Sequence, residues 1–392
     1  MKRKIMQFCL LILLLSTFFI SGCKKEVEDL AVATMFGGDY VNVNGVDQFQ
    51  VWMRIMRPSD TGEQDSQQKD GTSSEYLISA TSTSMMEIIS KLMVRLPKTP
   101  FYGHTYVHVY GARNAQENFP TQIGVSMNNA DARGGAFLLV TKGLASRIIQ
   151  LQPSGTTTLT QQIKNQSERI AIDKGVACGI TMNEFSEWLL SPDRDALLPE
   201  IEPISSVEGE TVPDSVIVQG FGVFREARLV GWLDKEEALG YLLIARKLKD
   251  VHIAIPFTIN NKSLGYYLTG SKSKINFTIT NGKPSFKIKI QTVGLIPETG
   301  GLDITSDQIK PLEKLISDKI REYPLKSIAK AKEYDSDFFG LMQKIHRYDP
   351  SFWQEIASKW RDTFRQADVE VEVEAKIVGS GVVSKSFNSL SE

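Results

Sequence analysis

Little in this 392-residue sequence is suited to covalent or metal chemistry, because it holds only three cysteines and four histidines. Three cysteines are too few for a disulfide scaffold. Four histidines leave little material for a metal centre. An excess of charge of one sign is missing too. Lys and Arg total 45 against 46 Asp and Glu, so no global basic field exists to hold nucleic acid. The prominent apolar run, Phe8 to Ile20, stops after 13 residues, short of the about 17–25 that a membrane-spanning helix needs. What remains is ordinary: 42% hydrophobic and 23% charged residues, the profile of a globular protein. The length suits two or three domains, each able to bury a core.

The averages conceal the N-terminus. Lys2, Arg3 and Lys4 precede the apolar run, which fits the charged and apolar regions of a secretory signal. Ile20-Ser21-Gly22-Cys23 follows directly and resembles a bacterial lipobox. Small residues at Ser21 and Gly22 admit the chain to a signal peptidase, and the Cys23 thiol takes a diacylglyceryl group before cleavage between Gly22 and Cys23. Residues 1–22 are therefore expected to be a lipoprotein signal peptide, with Cys23 as the lipidated N-terminus. Two acyl chains hold a protein at a membrane where one does not. Loss of residues 1–22 leaves 42 basic and 46 acidic residues, and Cys178 without a partner. Its setting, Val176-Ala177-Cys178-Gly179-Ile180, predicts a small buried hydrophobe.

Along the body, Leu30–Phe36 and Gln48–Met56 read as strands, with turn chemistry at Gly37-Gly38-Asp39 and from Asn42 to Gly45. Residues 60–74 read as a solvated loop. Ser84 is expected to cap a helix over Met85–Leu96 with Met86, Ile89 and Met93 on its packed face. Strands at 106–110 and 137–140 and helices at 144–150, 159–168 and 182–190 complete a mixed first part. Residues 201–213, rich in Pro and Glu, read as a linker. Strands at 216–224 and 228–232 and a helix capped by Asp234 follow. Ile275, Phe277 and Ile279, the turn Asn281-Gly282, and Phe286, Ile288 and Ile290 form a hairpin signal. Ser306 or Asp307 opens a long helix that Pro324 is expected to end or kink. Asp349-Pro350 opens another, with Phe352, Ile356, Trp360 and Phe364 on one face and Trp353 and Trp360 sharing a side. Alternation from Val369 to Ile377 predicts a last strand.

Chemistry-bearing residues are sparse. His104 and His108 are expected on the polar face of one strand, with no third ligand nearby. Asp193 and Asp195 sit where a turn simply favours Asp. Lys326, Lys330 and Lys332 read as a solvated helix face rather than a lipid-headgroup patch. No nucleophile elbow, Walker loop or dinucleotide fingerprint is present. From the residues alone the chain is an anchored, non-enzymatic α+β protein, with no catalytic, cofactor-binding or metal site.

The ordered blocks go further. Ser21-Gly22-Cys23, Glu28-Asp29-Leu30-Ala31, Gly37-Gly38-Asp39-Tyr40, Gly103-His104 with Val107 to Gly111, and Glu184-Phe185 with Leu198-Pro199 stand in sequence. They are followed by Gly222-Val223-Phe224, Leu229 to Leu233, Glu236 to Gly240, Asp337 to Gly340 and Tyr348-Asp349-Pro350. In these the chain resembles the Ger(x)C spore-germination lipoproteins, the C subunits of nutrient germinant receptors. It departs from them in carrying Lys24 where the family has Trp, and Lys25-Glu26 where it is aspartate-rich. The resemblance implies a three-domain α+β (mixed α/β) lipoprotein whose mainly antiparallel sheets are flanked by helices. The expected parts are an N-terminal domain (23–200), the linker (201–213), a small middle domain (214–265) and a C-terminal domain (266–392). It also implies location on the outer face of the spore inner membrane, with membrane A and B subunits as partners and no nucleic acid. It assigns a chemical role to Cys23 alone. The alternative is a solute-binding lipoprotein feeding a membrane transporter, which requires two similar lobes around a cleft.

Overall fold

The computed structural model describes residues 29–56, 75–129, 131–153, 157–204, 215–259, 262–298 and 305–380. Gly22, Cys23, the loop at 60–74 and most of the 201–213 linker lie outside them. Two mixed sheets organise the chain. The larger has nine strands in the order β3-β2-β1-β5-β6-β7-β8-β9, with β4 also pairing β1; the smaller runs β10-β11-β12-β13. The strands are β1 Leu30–Val43, β2 Val46–Met56, β3 Glu75–Ser82, β4 Thr99–Phe101, β5 Val107–Gly111, β6 Phe137–Thr141 and β7 Ala196–Pro203. They continue as β8 Val216–Arg225, β9 Arg228–Leu233, β10 Leu248–Ile259, β11 Lys262–Thr280, β12 Lys283–Glu298 and β13 Asp368–Ser380. Hairpins give antiparallel edges, whereas β1-β5-β6-β7 in the middle and the β12–β13 pair are parallel. The parallel pairs follow from helical crossovers, the connection such pairing needs.

Gly37-Gly38-Asp39 does not turn. All three lie within β1, and the turn comes later at Asn44 and Gly45, both with positive φ. The Asp39 carboxylate is fully buried and accepts the Ala145 and Ser146 backbone N–H groups at 2.7 and 2.9 Å. It thereby caps helix Ala145–Ile149 from across the sheet. The residue type favours caps as well as turns, and here the partner is distant in sequence.

The expected domain edges do not coincide with breaks in the sheets. β7 and β8 pair antiparallel from Ala196↔Phe224 to Pro203↔Val216, so residues 201–213 begin inside one strand and connect to its own neighbour. A boundary at 265/266 falls inside β11. One hydrophobic core runs from β5 through both sheets to β13, and a second, small one gathers Ala33, Phe49, Met53, Ile55, Ile88 and Leu92.

The α1 helix, Met85–Val94, begins as expected, with Ser84 Oγ accepting the Glu87 N–H. Its packed face is the other one. Ile88 and Leu92 are buried, while Met86 is 69% and Met93 47% exposed. The α2 helix, Phe119–Met127, follows β5. Farther on, α3, Lys235–Ala245, carries a capping box in which Asp234 and Glu237 satisfy each other's backbone N–H groups. The hairpin is as its alternation predicts: Ile275↔Ile288 and Phe277↔Phe286 pair, with Asn281 and Gly282 at positive φ.

The α4 helix, Ser306–Glu333, is capped by Thr305 and runs unbroken through Pro324. Proline removes one i→i−4 bond, but burial of Ile316, Ile320, Tyr323 and Ile328 holds both halves to their neighbours. After it come α5 Leu341–Tyr348, α6 Pro350–Ile356 and α7 Trp360–Gln366. A short 3-10 turn, Ala357–Lys359, separates α6 from α7, so Trp353 and Trp360 stand on different helices rather than one face. Gly231 sits under the Tyr334 ring, which a Cβ would meet at 2.3 Å, so the close approach expected there is to an aromatic ring.

Where β6 meets β7, Glu200 is buried beside Lys142, whose Nζ lies 2.8 Å from its Oε1. Burial is the main cause that pushes the Glu200 carboxyl up to about 7, with the Glu202 side chain adding to it. A carboxyl raised in the folded state gives stability fully present below its unfolded value and lost as pH rises through the folded one. Stability should therefore fall between about pH 4.5 and 7 on this account. Glu200→Gln should flatten that part of a pH series of urea midpoints; an unchanged slope would refute the assignment.

Candidate functional site

Between α1, α2 and the face of β1, β2 and β5 lies a cavity of about 990 Å³. Its volume is within the range of small-molecule sites, which are mostly apolar with a few converging polar groups. Met53, Met85, Met86, Ile89, Leu92 and Met93 supply one wall. The other is an aromatic row on β1, β5 and the turn between β4 and β5. Phe36 lies 5.8 Å from Tyr102 and stacks on His108 at 5.4 Å, and His108 stacks on Tyr110 at 6.3 Å. Gly38 opens the floor, since a Cβ there would meet the Gln122 side chain at 2.3 Å.

Two polar groups of the cavity, on His108 and Gln122, are buried. His108 is 5% exposed and Gln122 4%. His108 Nδ1 stands 3.4 Å from the Tyr110 hydroxyl, and Gln122 Oε1 accepts the Asn114 amide. Burial pushes the His108 imidazole down to about 4, so it is neutral near pH 7, and it pushes the Tyr110 phenol upward. The charged lining residues, Asp131 and Arg133, are exposed. His104 is not on the strand with His108. It stands in the preceding turn, with Nδ1 3.2 Å from the Tyr106 hydroxyl. The pair diverges because β5 begins only at Val107.

A second cluster joins the large sheet to α5–α7. Asp193 and Asp195 are buried, not merely turn residues. Arg361 grips Asp195 with two nitrogens at 2.8 and 3.0 Å, and the Asp337 N–H donates to the same carboxylate at 3.0 Å. Asp337 caps α5 through the Leu341 and Met342 N–H groups at 3.0 and 2.7 Å, and burial pushes its carboxyl up to about 6. Asp193 takes the Ser191 hydroxyl and His346 Nδ1, each at 2.5 Å. Ser, Asp and His thus meet, but the carboxylate stands between the other two. In a nucleophilic triad the imidazole occupies the middle place. The imidazole does not touch the serine in this order.

The other residues marked by sequence fall into packing and pairing. Cys178 is buried and free, and burial pushes its thiol up to about 11. Lys326 pairs with Glu236, Lys330 with Glu333, and Lys332 Nζ donates to the Ala367 carbonyl. Phe352, Trp353 and Phe364 are buried. Among the described residues, no group of three or more His, Cys, Asp or Glu is placed to hold a metal ion, and no helix is long and apolar enough to cross a membrane. Sequence reasoning missed the cavity and the Asp195–Arg361 pair. The signal available for the first was Gln122, a polar residue inside the apolar stretch Phe119–Met127.

Comparison with known proteins covers nearly the whole chain. Residues 24–203 match the family described as "Spore germination protein N-terminal domain". Residues 219–381 match "Spore germination B3/ GerAC like, C-terminal". Three proteins of Bacillus subtilis (strain 168) are similar over 96% or more of their lengths. The putative spore germination protein YfkR is 21% identical, over 99% of this chain and 100% of its own. Spore germination protein KC is 20% identical over 95% and 96%, and spore germination protein B3 22% over 93% and 96%. The crystal structure of the GerBC protein shares the fold, with a TM-score of 0.56 at 17% identity, covering 88% of this chain and 97% of that one.

Proposed function

The chain belongs to the GerAC family of spore germination proteins, and from that premise we propose that it is the lipid-anchored C subunit of a nutrient germinant receptor. It works with membrane-embedded A and B subunits in starting germination, from the outer face of the spore inner membrane and without catalytic turnover. The carrying observation is the pair of family matches, which run in order over 24–203 and 219–381. The first begins one residue after Cys23, where an anchored chain would start its folded body. The placement of the Asp193 carboxylate between Ser191 and His346 supports a structural use of this Ser-Asp-His set. The solute-binding alternative calls for two like lobes, whereas the two sheets have nine and four strands with different orders.

The test is genetic and biochemical together. Deletion of the gene in its host should abolish or slow germination in response to at least one nutrient. Unchanged responses to every nutrient, in a strain cleared of paralogues, would overturn the receptor role. Cys23→Ala should move the protein from the membrane pellet to the soluble fraction; full retention would overturn the anchor.

A further inference from the structure

The cavity beside α1 has the composition of a selective site, and its lining defines what fits. We propose that it binds an uncharged aromatic small molecule carrying a single hydrogen-bonding group, with that group set against His108 and Gln122. Three observations carry this. The volume, about 990 Å³ in a half-open cleft, and the apolar wall suit a small planar ligand. The row Tyr102, Phe36, His108 and Tyr110 gives the cleft an aromatic lining against which a planar body can pack. Opposite it, thioether side chains adapt to the outline of a ligand and favour aromatic contacts.

The third observation sets polarity. His108 and Gln122 are each more than nine-tenths buried. Among the described residues, neither His108 Nε2 nor the Gln122 side-chain NH2 has a protein hydrogen-bond partner. Neither atom is sealed from solvent, so both open to the cavity, where a ligand hydroxyl, carbonyl or ring N–H can take the place of water. A carboxylate or ammonium set against His108 and Gln122 would meet no buried counter-charge. His108 is neutral, and the charged residues of the lining are exposed, with the Arg133 guanidinium already over the Tyr106 ring at 4.6 Å. An unpaired buried charge is the costlier defect.

The methionines of the wall report directly. The full chain, reconstituted in lipid nanodiscs with 13C-methyl methionine, is titrated with indole and, in parallel, with indole-3-acetate. Indole should shift the Met53, Met85, Met86 and Met93 methyl signals saturably and leave those of Met182 and Met342 in place. Indole-3-acetate should bind at least tenfold more weakly. Met93→Trp, at a half-exposed position that tolerates the change, should fill the site and weaken indole at least tenfold. Absence of a saturable shift, or equal shifts at Met182 and Met342, would overturn the site. Equal affinity for the charged analogue would overturn its selectivity for neutral ligands.

Discussion

Arg54→Ala is expected to destabilise the fold by about 3–5 kcal/mol, the range for breaking one side of a buried ion pair. Arg54 on β2 and Glu75 on β3 are 1% and 2% exposed in their side chains and meet at 3.1 Å. The guanidinium also donates to the Ile149 carbonyl at 2.8 Å and to that of Leu151. Glu75 Oε1 accepts the Thr34 and Thr160 hydroxyls at 2.6 and 3.1 Å. Truncating Arg54 takes the guanidinium away from a buried carboxylate and from two carbonyls. The loss should appear as a lower urea midpoint at unchanged slope. The double change Arg54→Met with Glu75→Leu should recover most of it, because paired apolar replacements remove the desolvation cost on both sides. A single-mutant loss below about 1 kcal/mol would match a surface pair and refute this account.

Asp195→Ala should cost about as much, again about 3–5 kcal/mol, and the damage should be local. Asp195 closes the large sheet onto the C-terminal helices by accepting both Arg361 nitrogens and the Asp337 N–H. Without it, Arg361 and the turn leading into α5 lose their common partner. Hydrogen exchange should speed up across residues 337–366 before it changes in β1 to β3. Asp195→Asn keeps an acceptor for the Asp337 N–H and should lose less. Uniform exchange changes across the chain, or none, would contradict the local role.

Much of this architecture was legible where neighbours in sequence are also neighbours in space. The Asn281-Gly282 hairpin, the Asp234 cap and the Val369–Ile377 alternation are local patterns, and each stands as read. Features with distant partners were not legible. Gly37-Gly38-Asp39 has turn composition, yet the Asp39 cap lies 106 residues away at Ala145. On α1 two apolar stripes compete, and periodicity reports that both exist without saying which one meets the sheet. Ile88 and Leu92 won the core, and the methionines were left to line the cavity. Asp195 and Arg361 are 166 residues apart, and only the folded chain brings them together.

β1 has a further consequence for a chain held at its N-terminal end. From Ala33 to Val43 the strand is laddered to β2, on its other side it pairs with β5, and its first residues pair with β4. Tension on the residues ahead of Leu30 runs along this strand, at right angles to the antiparallel ladder's hydrogen bonds. Those bonds are loaded in shear and must slip together, whereas a strand pulled sideways opens one bond at a time. Were the chain tethered through Cys23 as proposed, a pull there would enter the fold along β1, an interior strand of the nine-stranded sheet.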